Sequence, residues 1–333
     1  MQESESAPDS AVQDGPDAAR VGRSRLGVVG AGSVGSSMAF AAMIRRSAQE
    51  IILYDVDARR AEAEMLDLAH GSPIAGSSWI AAGDIDALAG CDVVIITAGA
   101  KQKPGQTRLE LAAVNARITA DLMPRLVASA PEAVYVIVTN PCDVLAVVAQ
   151  RVTGLPSSQV FASGTLLDSM RLRWRLAERL RVAPQSVHAM MIGEHGDTEF
   201  PLWSQARVGP VPLARWSPVG TEPITETEFA TIADEVVNAA YTVIAGKGAT
   251  NYAIALSGAR IAEAVLTDER SVHPVSRVLE GYHGLDGIAL SVPSVIGANG
   301  IEATVDLPYT ERELALLERS AQALRSVLRA LPG

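Results

Sequence analysis

The chain is poor in aromatic residues, at 4% of 333 positions, so its core has to be assembled mainly from Ala, Val, Leu and Ile. Cysteine is almost missing. Cys91 and Cys142 each lie in an apolar run that reads as strand or strand edge, with no second thiol nearby in sequence. This argues against a thiolate metal centre or a disulfide framework, and for two buried free thiols in a reducing compartment. There is no concentration of positive charge either. The net charge is -10 with Lys and Arg spread out, which speaks against a nucleic-acid surface or an anionic membrane as partner. No apolar run reaches bilayer length without a Gly, Pro or charge interrupting it. Residues 1–24 contain no apolar stretch and carry Glu3, Glu5, Asp9, Asp14 and Asp17 among Ser, Ala and Pro. They read as a disordered acidic tail rather than a signal peptide or anchor, and the chain as cytoplasmic.

From Leu26 onward, short β-branched runs alternate with longer stretches of helical periodicity, the pattern of βα units on a parallel sheet. Leu26 to Val29, Ile51 to Tyr54, Val93 to Thr97 and Val134 to Thr139 are continuous apolar runs, as expected of strands covered on both faces. Helices are predicted over Ser36 to Arg46, Ala58 to Ala69 and Leu109 to Ser129. Later come an amphipathic helix over Ser169 to Leu180, strand-like pieces at Ala189 to Ile192 and Pro201 to Val208, and a helical region from Thr225 to Thr267 broken near Gly246. Strand-like segments at Gly287 to Ile296 and Gly300 to Leu307 lead to a last helix opened by the capping box Thr310 to Glu313. The predicted class is α/β. A Rossmann-type, doubly wound parallel sheet over 25–165 is followed by an α+β catalytic domain over 166–333.

Gly30-Ala31-Gly32-Ser33-Val34-Gly35 directly follows the first strand and opens a helix. Gly30 serves the tight turn, Gly32 lets backbone amides approach a pyrophosphate, and Gly35 permits close packing of helix on strand. Asp55 ends the second strand, where a carboxylate accepts hydrogen bonds from ribose hydroxyls and disfavours a 2'-phosphate. NAD is the expected cofactor, with Arg59 and Arg60 leaving NADP as the lesser reading.

Oxidising a secondary alcohol needs a base for the hydroxyl proton, and the reverse reaction needs the same group as an acid. Of five histidines, His195 is set apart by its segment, Gly193-Glu194-His195-Gly196-Asp197. Asp168 and Arg171 are three residues apart, so a helix projects both from one face. The aspartate could orient an imidazole and the arginine grip a carboxylate; a surface ion pair is the plainer alternative. The stretch Thr97 to Arg108 leaves a strand, passes through Gly and Pro, and delivers Arg108 at a helix start. It has the layout of a hinged lid, or else of an ordinary solvated loop.

Taken together, GAGSVG, AGAKQKPGQTRLEL, TNPCDVL, LDSMRLRW, GEHGDTEFPLWS and KGATNYAIA resemble the lactate/malate dehydrogenase family, and within it the L-lactate branch. The resemblance runs from about Leu26 to the last helix. It implies that His195 donates and accepts the proton, Asp168 orients it, Arg171 binds the substrate carboxylate and Arg108 on the lid polarises the reacting carbonyl. It further implies that Asn140 touches substrate and nicotinamide, and that Gly99, Ala100, Val138 and Ser163 line the cofactor groove with Ala31 and Val34. Gln102 stands where malate enzymes of the family generally carry an arginine for the second carboxylate, and Thr250 looks like the lactate type. Pyruvate and L-lactate are thus the implied substrates. Malate or a bulkier 2-hydroxy acid is the near alternative, and a non-catalytic NAD-binding protein the distant one. The resemblance also suggests a homotetramer in glycolysis or fermentation, and a fructose 1,6-bisphosphate effector site at Arg173 and His188.

Overall fold

A computed structural model describes residues 24–76, 78–101, 105, 107–217 and 222–331, so the acidic segment 1–23 and Gln102 lie outside the described residues. The apolar runs become the strands β1 (Arg25–Val29), β2 (Glu50–Tyr54), β3 (Trp79–Ala82), β4 (Val93–Ile96), β5 (Val134–Ile137) and β6 (Val160–Ala162). All six pair in parallel, in the order β3-β2-β1-β4-β5-β6. The winding reverses between β1 and β4. A crevice opens there at the carboxyl ends of the strands, the place where open α/β sheets bind ligands.

Four helices cross between these strands: α1 (Ser33–Arg45), α2 (Ala58–Ala75), α3 (Arg108–Ser129) and α4 (Cys142–Thr153). Thr107 and Glu110 form a reciprocal capping box that starts α3. Cys142 departs from the sequence expectation, because it opens α4 instead of lying in a strand. Six further residues of that helix are buried, from Asp143 to Val147 and at Ala149. An element buried on nearly every side has no polar stripe, and its short apolar run cannot be told from a strand by periodicity.

The second half begins with α5 (Leu166–Leu180), followed by the short strands β7 (Val187–His188), β8 (Met191–Ile192), β9 (Phe200–Pro201), β10 (Arg207–Val208) and β11 (Val211–Pro212). Then come α6 (Glu226–Lys247), α7 (Tyr252–Leu266), the strands β12 (Ser271–Val278), β13 (Ala289–Gly297) and β14 (Gly300–Thr304), and α8 (Glu311–Ala330). β12 runs antiparallel to β6, and the meander β12-β13-β14 extends the parallel sheet to nine strands. The two halves also meet where α7 packs on α1. A Cβ at Gly258 would lie 2.3 Å from the Met38 methyl carbon, so the bare backbone of α7 receives the end of the Met38 side chain, which a larger residue would have to displace. The site is consequently built on elements from both halves, held by one continuous sheet.

Candidate active site

The turn from β1 into α1 explains each glycine of the first motif. Gly30 has φ 101°, and a Cβ on Gly35 would lie 1.8 Å from the Gly30 carbonyl oxygen, so side chains are excluded at both places. Among the described residues, no atom lies within 4 Å of the Gly32 Cβ position and no side chain caps α1 there. The helix start therefore presents bare backbone amides to the crevice, a setting suited to phosphate. Asp55, at the end of β2, accepts from the Ala31 amide at 2.7 Å and from the Asp57 amide at 2.9 Å. Ala31 itself is buried, and its contribution is this amide, which fixes Asp55 beside the glycine turn.

The crevice has a volume of about 1180 Å³ and is lined by Gly30, Gly32, Val34, Gly35, Asp55, Gly99, Ala100, Val138, Asn140, Ser163, Arg171, His195 and Thr250. At its middle, a Cβ on Gly99 would lie 2.3 Å from Thr139 Cγ2, so glycine is needed where β4 leaves the sheet beside β5. Bare amides, a carboxylate at the β2 end and an elongated cleft fit a dinucleotide.

The far end of the crevice carries the titratable groups. α5 buries Asp168, with 1% exposure, and directs Arg171 from the same face, so their ion pair of 2.5 Å lies inside the protein rather than on its surface. His195 arrives on the loop after β8. Gly193 exchanges backbone hydrogen bonds with Ser291 of β13, and the His195 amide donates to Asp143 Oδ2 at 2.7 Å. The ring then points Nδ1 at Asp168 Oδ2, 2.8 Å away, and contributes to the crevice wall. Burial works against the charged imidazolium, but the Asp168 carboxylate, joined by the neighbouring Glu199 carboxyl group, outweighs it and holds the ring's pKa well above its ordinary value. Burial alone would raise the Asp168 pKa; His195 and then Arg171 reverse that and keep it below the usual carboxylate range.

Arg108 has other partners. It pairs with Asp197 at 2.6 Å, lies 5.6 Å over the Tyr241 ring and is more than half exposed. Arg173 and His188 form a separate place on the molecule. Arg173 Nε donates to the Ala189 carbonyl at 3.0 Å, which sets it beside the exposed His188 of β7.

Residues 24–162 match the lactate/malate dehydrogenase NAD binding domain, and residues 165–331 match the lactate/malate dehydrogenase alpha/beta C-terminal domain. The chain belongs to the lactate/malate dehydrogenase family. Among its relatives, the L-lactate dehydrogenase of Bifidobacterium animalis subsp. lactis is 46% identical over 90% of this chain and 95% of its own length. That of Thermus aquaticus is 44% identical over 92% and 99%. The minor L-lactate dehydrogenase of Enterococcus mundtii, solved in a ligands-bound form, superposes with a TM-score of 0.89 at 38% identity, covering 93% of this chain and 98% of that one. As a member of the family, the chain is an NAD-dependent oxidoreductase.

Four residues at this dehydrogenase site escaped the reading of the sequence. Asn115 on α3 is buried, accepts from the Ala100 amide at 2.8 Å and donates to the Asn140 carbonyl at 2.7 Å, so it ties the segment after β4 to the segment after β5. A polar amide on the otherwise largely apolar buried face of a helix is the available signal. Asp143, which anchors the His195 backbone, was visible only as a charge inside an apolar run, and burial raises its pKa. Asp197 pairs with Arg108, and Glu199 is buried beside His195.

Proposed function

We propose that the protein is an L-lactate dehydrogenase that interconverts pyruvate and L-lactate. The observation that carries this reading is the Arg171–Asp168–His195 cluster opening into the same crevice as the glycine turn. NAD, when bound, supplies or accepts a hydride at its nicotinamide ring, and all else falls to the chain. Arg171 presents a guanidinium to which a carboxylate can bind with two parallel hydrogen bonds. His195 uses Nδ1 for Asp168, which leaves Nε2 to give a proton to the oxygen of a 2-oxo acid or take one from a 2-hydroxy acid. Asp168 favours the charged ring and fixes its tautomer. Arg108 is to leave Asp197 and Tyr241 and swing inward with the lid, where its charge polarises the carbonyl and the closed lid excludes water. Asn140 would contact both substrate and nicotinamide, and the glycine turn with Asp55, Val34, Gly99, Ala100, Val138 and Ser163 would hold the cofactor.

Substrate choice rests on Gln102 and Thr250. A neutral amide at the lid leaves a second carboxylate unpaired in a closed site, which is costly. Thr250 is on the crevice wall, and its bulk limits the space for the substrate side chain. The chain then works as two lobes, 25–165 and 166–333, behind the tail 1–24. We also assign it to the cytoplasm and to fermentative glycolysis as a homotetramer. Exposed apolar side chains such as Phe40, Ile44, Leu66 and Leu256 on α1, α2 and α7 are suited to subunit contacts. Arg173 and His188 would receive the phosphates of fructose 1,6-bisphosphate, and an unchanged pyruvate saturation curve on adding it removes that assignment.

The test is NADH oxidation with pyruvate, oxaloacetate and 2-oxoisocaproate, for the wild type and for Gln102→Arg. Preference for pyruvate, shifting toward oxaloacetate in the variant, supports the reading. Wild-type preference for oxaloacetate overturns the roles given to Gln102 and Thr250, and no turnover with any of the three leaves an NAD-binding protein.

A further inference from the structure

The reactive histidine faces two carboxyl groups on one side of its ring. Beyond Asp168 at 2.8 Å, Glu199 Oε2 lies 3.6 Å from the same nitrogen, too far for a hydrogen bond. Glu199 is 7% exposed, and among the described residues this Oε2 has no hydrogen-bond partner. Asp168, His195 and Glu199 each bring one atom within 4.8 Å of the others. A buried carboxyl group so placed is costly to ionise beside an existing carboxylate, and is useful only toward a cation.

We propose that Glu199 is a positioning residue for His195, a second, protonatable carboxyl group on the Nδ1 side of the ring that strengthens its hold on the proton. The proposal rests on the reading of His195 as proton donor and adds a partner to it. The groups around the ring are few: Asp168 and Arg171 from α5, Asp143 from α4 at the His195 backbone, and Glu194 in the same loop. Arg171 is engaged with Asp168, so the ring is the cation that Glu199 faces. Burial first, and then the charge of Asp168, push the Glu199 carboxyl up to about 8, so it is neutral at physiological pH. As pH rises it ionises, and its charge joins that of Asp168 in opposing loss of the ring proton. The protons therefore leave the cluster in coupled steps. A proton reserve next to the donor keeps pyruvate reduction active further into the alkaline range than one carboxylate would.

The experiment follows the imidazole NMR signals of the full-length protein without cofactor across pH, with His195→Asn identifying the His195 signal among the five. In the wild type the signal should move in two steps; a single step overturns the proposal. In Glu199→Gln the midpoint should fall by about one pH unit, and the alkaline limb of kcat/KM for pyruvate should fall with it. An unchanged or higher midpoint overturns the proposal, whatever happens to the rate. Should the glutamine variant fail to fold, Glu199→Asp, with its carboxyl group drawn back by one methylene, is to lower the midpoint in the same direction. If pyruvate is not turned over but both titrations behave as expected, the substrate reading falls and the role of Glu199 toward His195 stands.

Discussion

Asp168→Asn tests the electrostatic core of the site. The side chain is 1% exposed, and its oxygens take His195 Nδ1 at 2.8 Å and Arg171 at 2.5 Å. Asparagine preserves the shape and removes the charge. A carboxylate at this distance favours the charged imidazolium, so without it the opposing effect of burial gains weight, the His195 pKa falls, and fewer rings carry the proton that pyruvate reduction needs. The amide can also turn its own N–H toward Nδ1 and select the wrong tautomer, a change that costs about 10⁴ in kcat in a Ser-His-Asp triad. The expected loss in kcat/KM for pyruvate is therefore about 10²–10⁴, or about 3–5 kcal/mol of transition-state stabilisation. Steady-state NADH oxidation across pH measures it, with NADH fluorescence confirming that cofactor affinity is kept. The sign differs with direction. Pyruvate reduction needs the charged ring, so its descending limb should move to lower pH, whereas lactate oxidation needs the neutral ring and should suffer less. A kcat/KM for pyruvate within about threefold of wild type near pH 7.5 would refute the assignment of Asp168 as the group that keeps His195 charged.

Other substitutions separate binding from chemistry. Arg171→Lys keeps the charge but loses the planar fork, so KM for pyruvate should rise by about 10²-fold while NADH affinity holds; an unchanged KM removes Arg171 as the carboxylate anchor. Arg108→Gln should lower kcat by about 10²–10³ with NADH binding intact, since the side chain acts only after leaving Asp197. In Gly35→Ala the added methyl carbon would lie 1.8 Å from the Gly30 carbonyl oxygen, so loss of NADH binding, or of the fold, should show in fluorescence titration and circular dichroism. Glu199 should also appear in stability. Its folded pKa of about 8 lies above the ordinary 4.5, so its contribution is fully present below about pH 4.5 and is lost as pH rises to about 8. In denaturant unfolding, wild type should lose about 4 kcal/mol relative to Glu199→Gln over that window; parallel curves would mean that the carboxyl is already ionised.

The parts of the fold that were legible in sequence are those whose cause is local. The glycine turn needs only a tight backbone and a close helix, and its context of strand, turn and helix is contiguous from Arg25 to Arg45. The parallel strands β1, β2, β4 and β5 were readable because both faces are covered and the runs are apolar throughout. β3, β6 and β12 were not read as strands. β6 spans three residues, β3 exposes Trp79, and β12 carries Ser271, His273, Pro274 and Arg277, so none offers a clean period or run. The capping box of α8 was legible as Thr310 and Glu313, and the matching box of α6, Thr225 with Glu228, follows the same rule.

The site divides along the same line. Asp168 and Arg171 share a helix face, and spacing alone pairs them. His195 and Asp168 are 27 residues apart, and Asp143 and His195 52 apart, so neither pairing has a periodicity to report it. The motif resemblance supplied the first of these pairings; the second came only with the three-dimensional arrangement. Glu199 shows why such residues are hard to read: four positions past His195, between Thr198 and Phe200, it looks like a solvated loop carboxylate. What turns it inward is its surroundings. Ser320 of α8 donates to the Thr198 carbonyl, Phe200 enters the apolar cluster beneath β13, and the residue between them is buried. A buried acid is thus created by packing on either side of it. Its cost can be recovered only through a cation, and the ring of His195 is the one it faces.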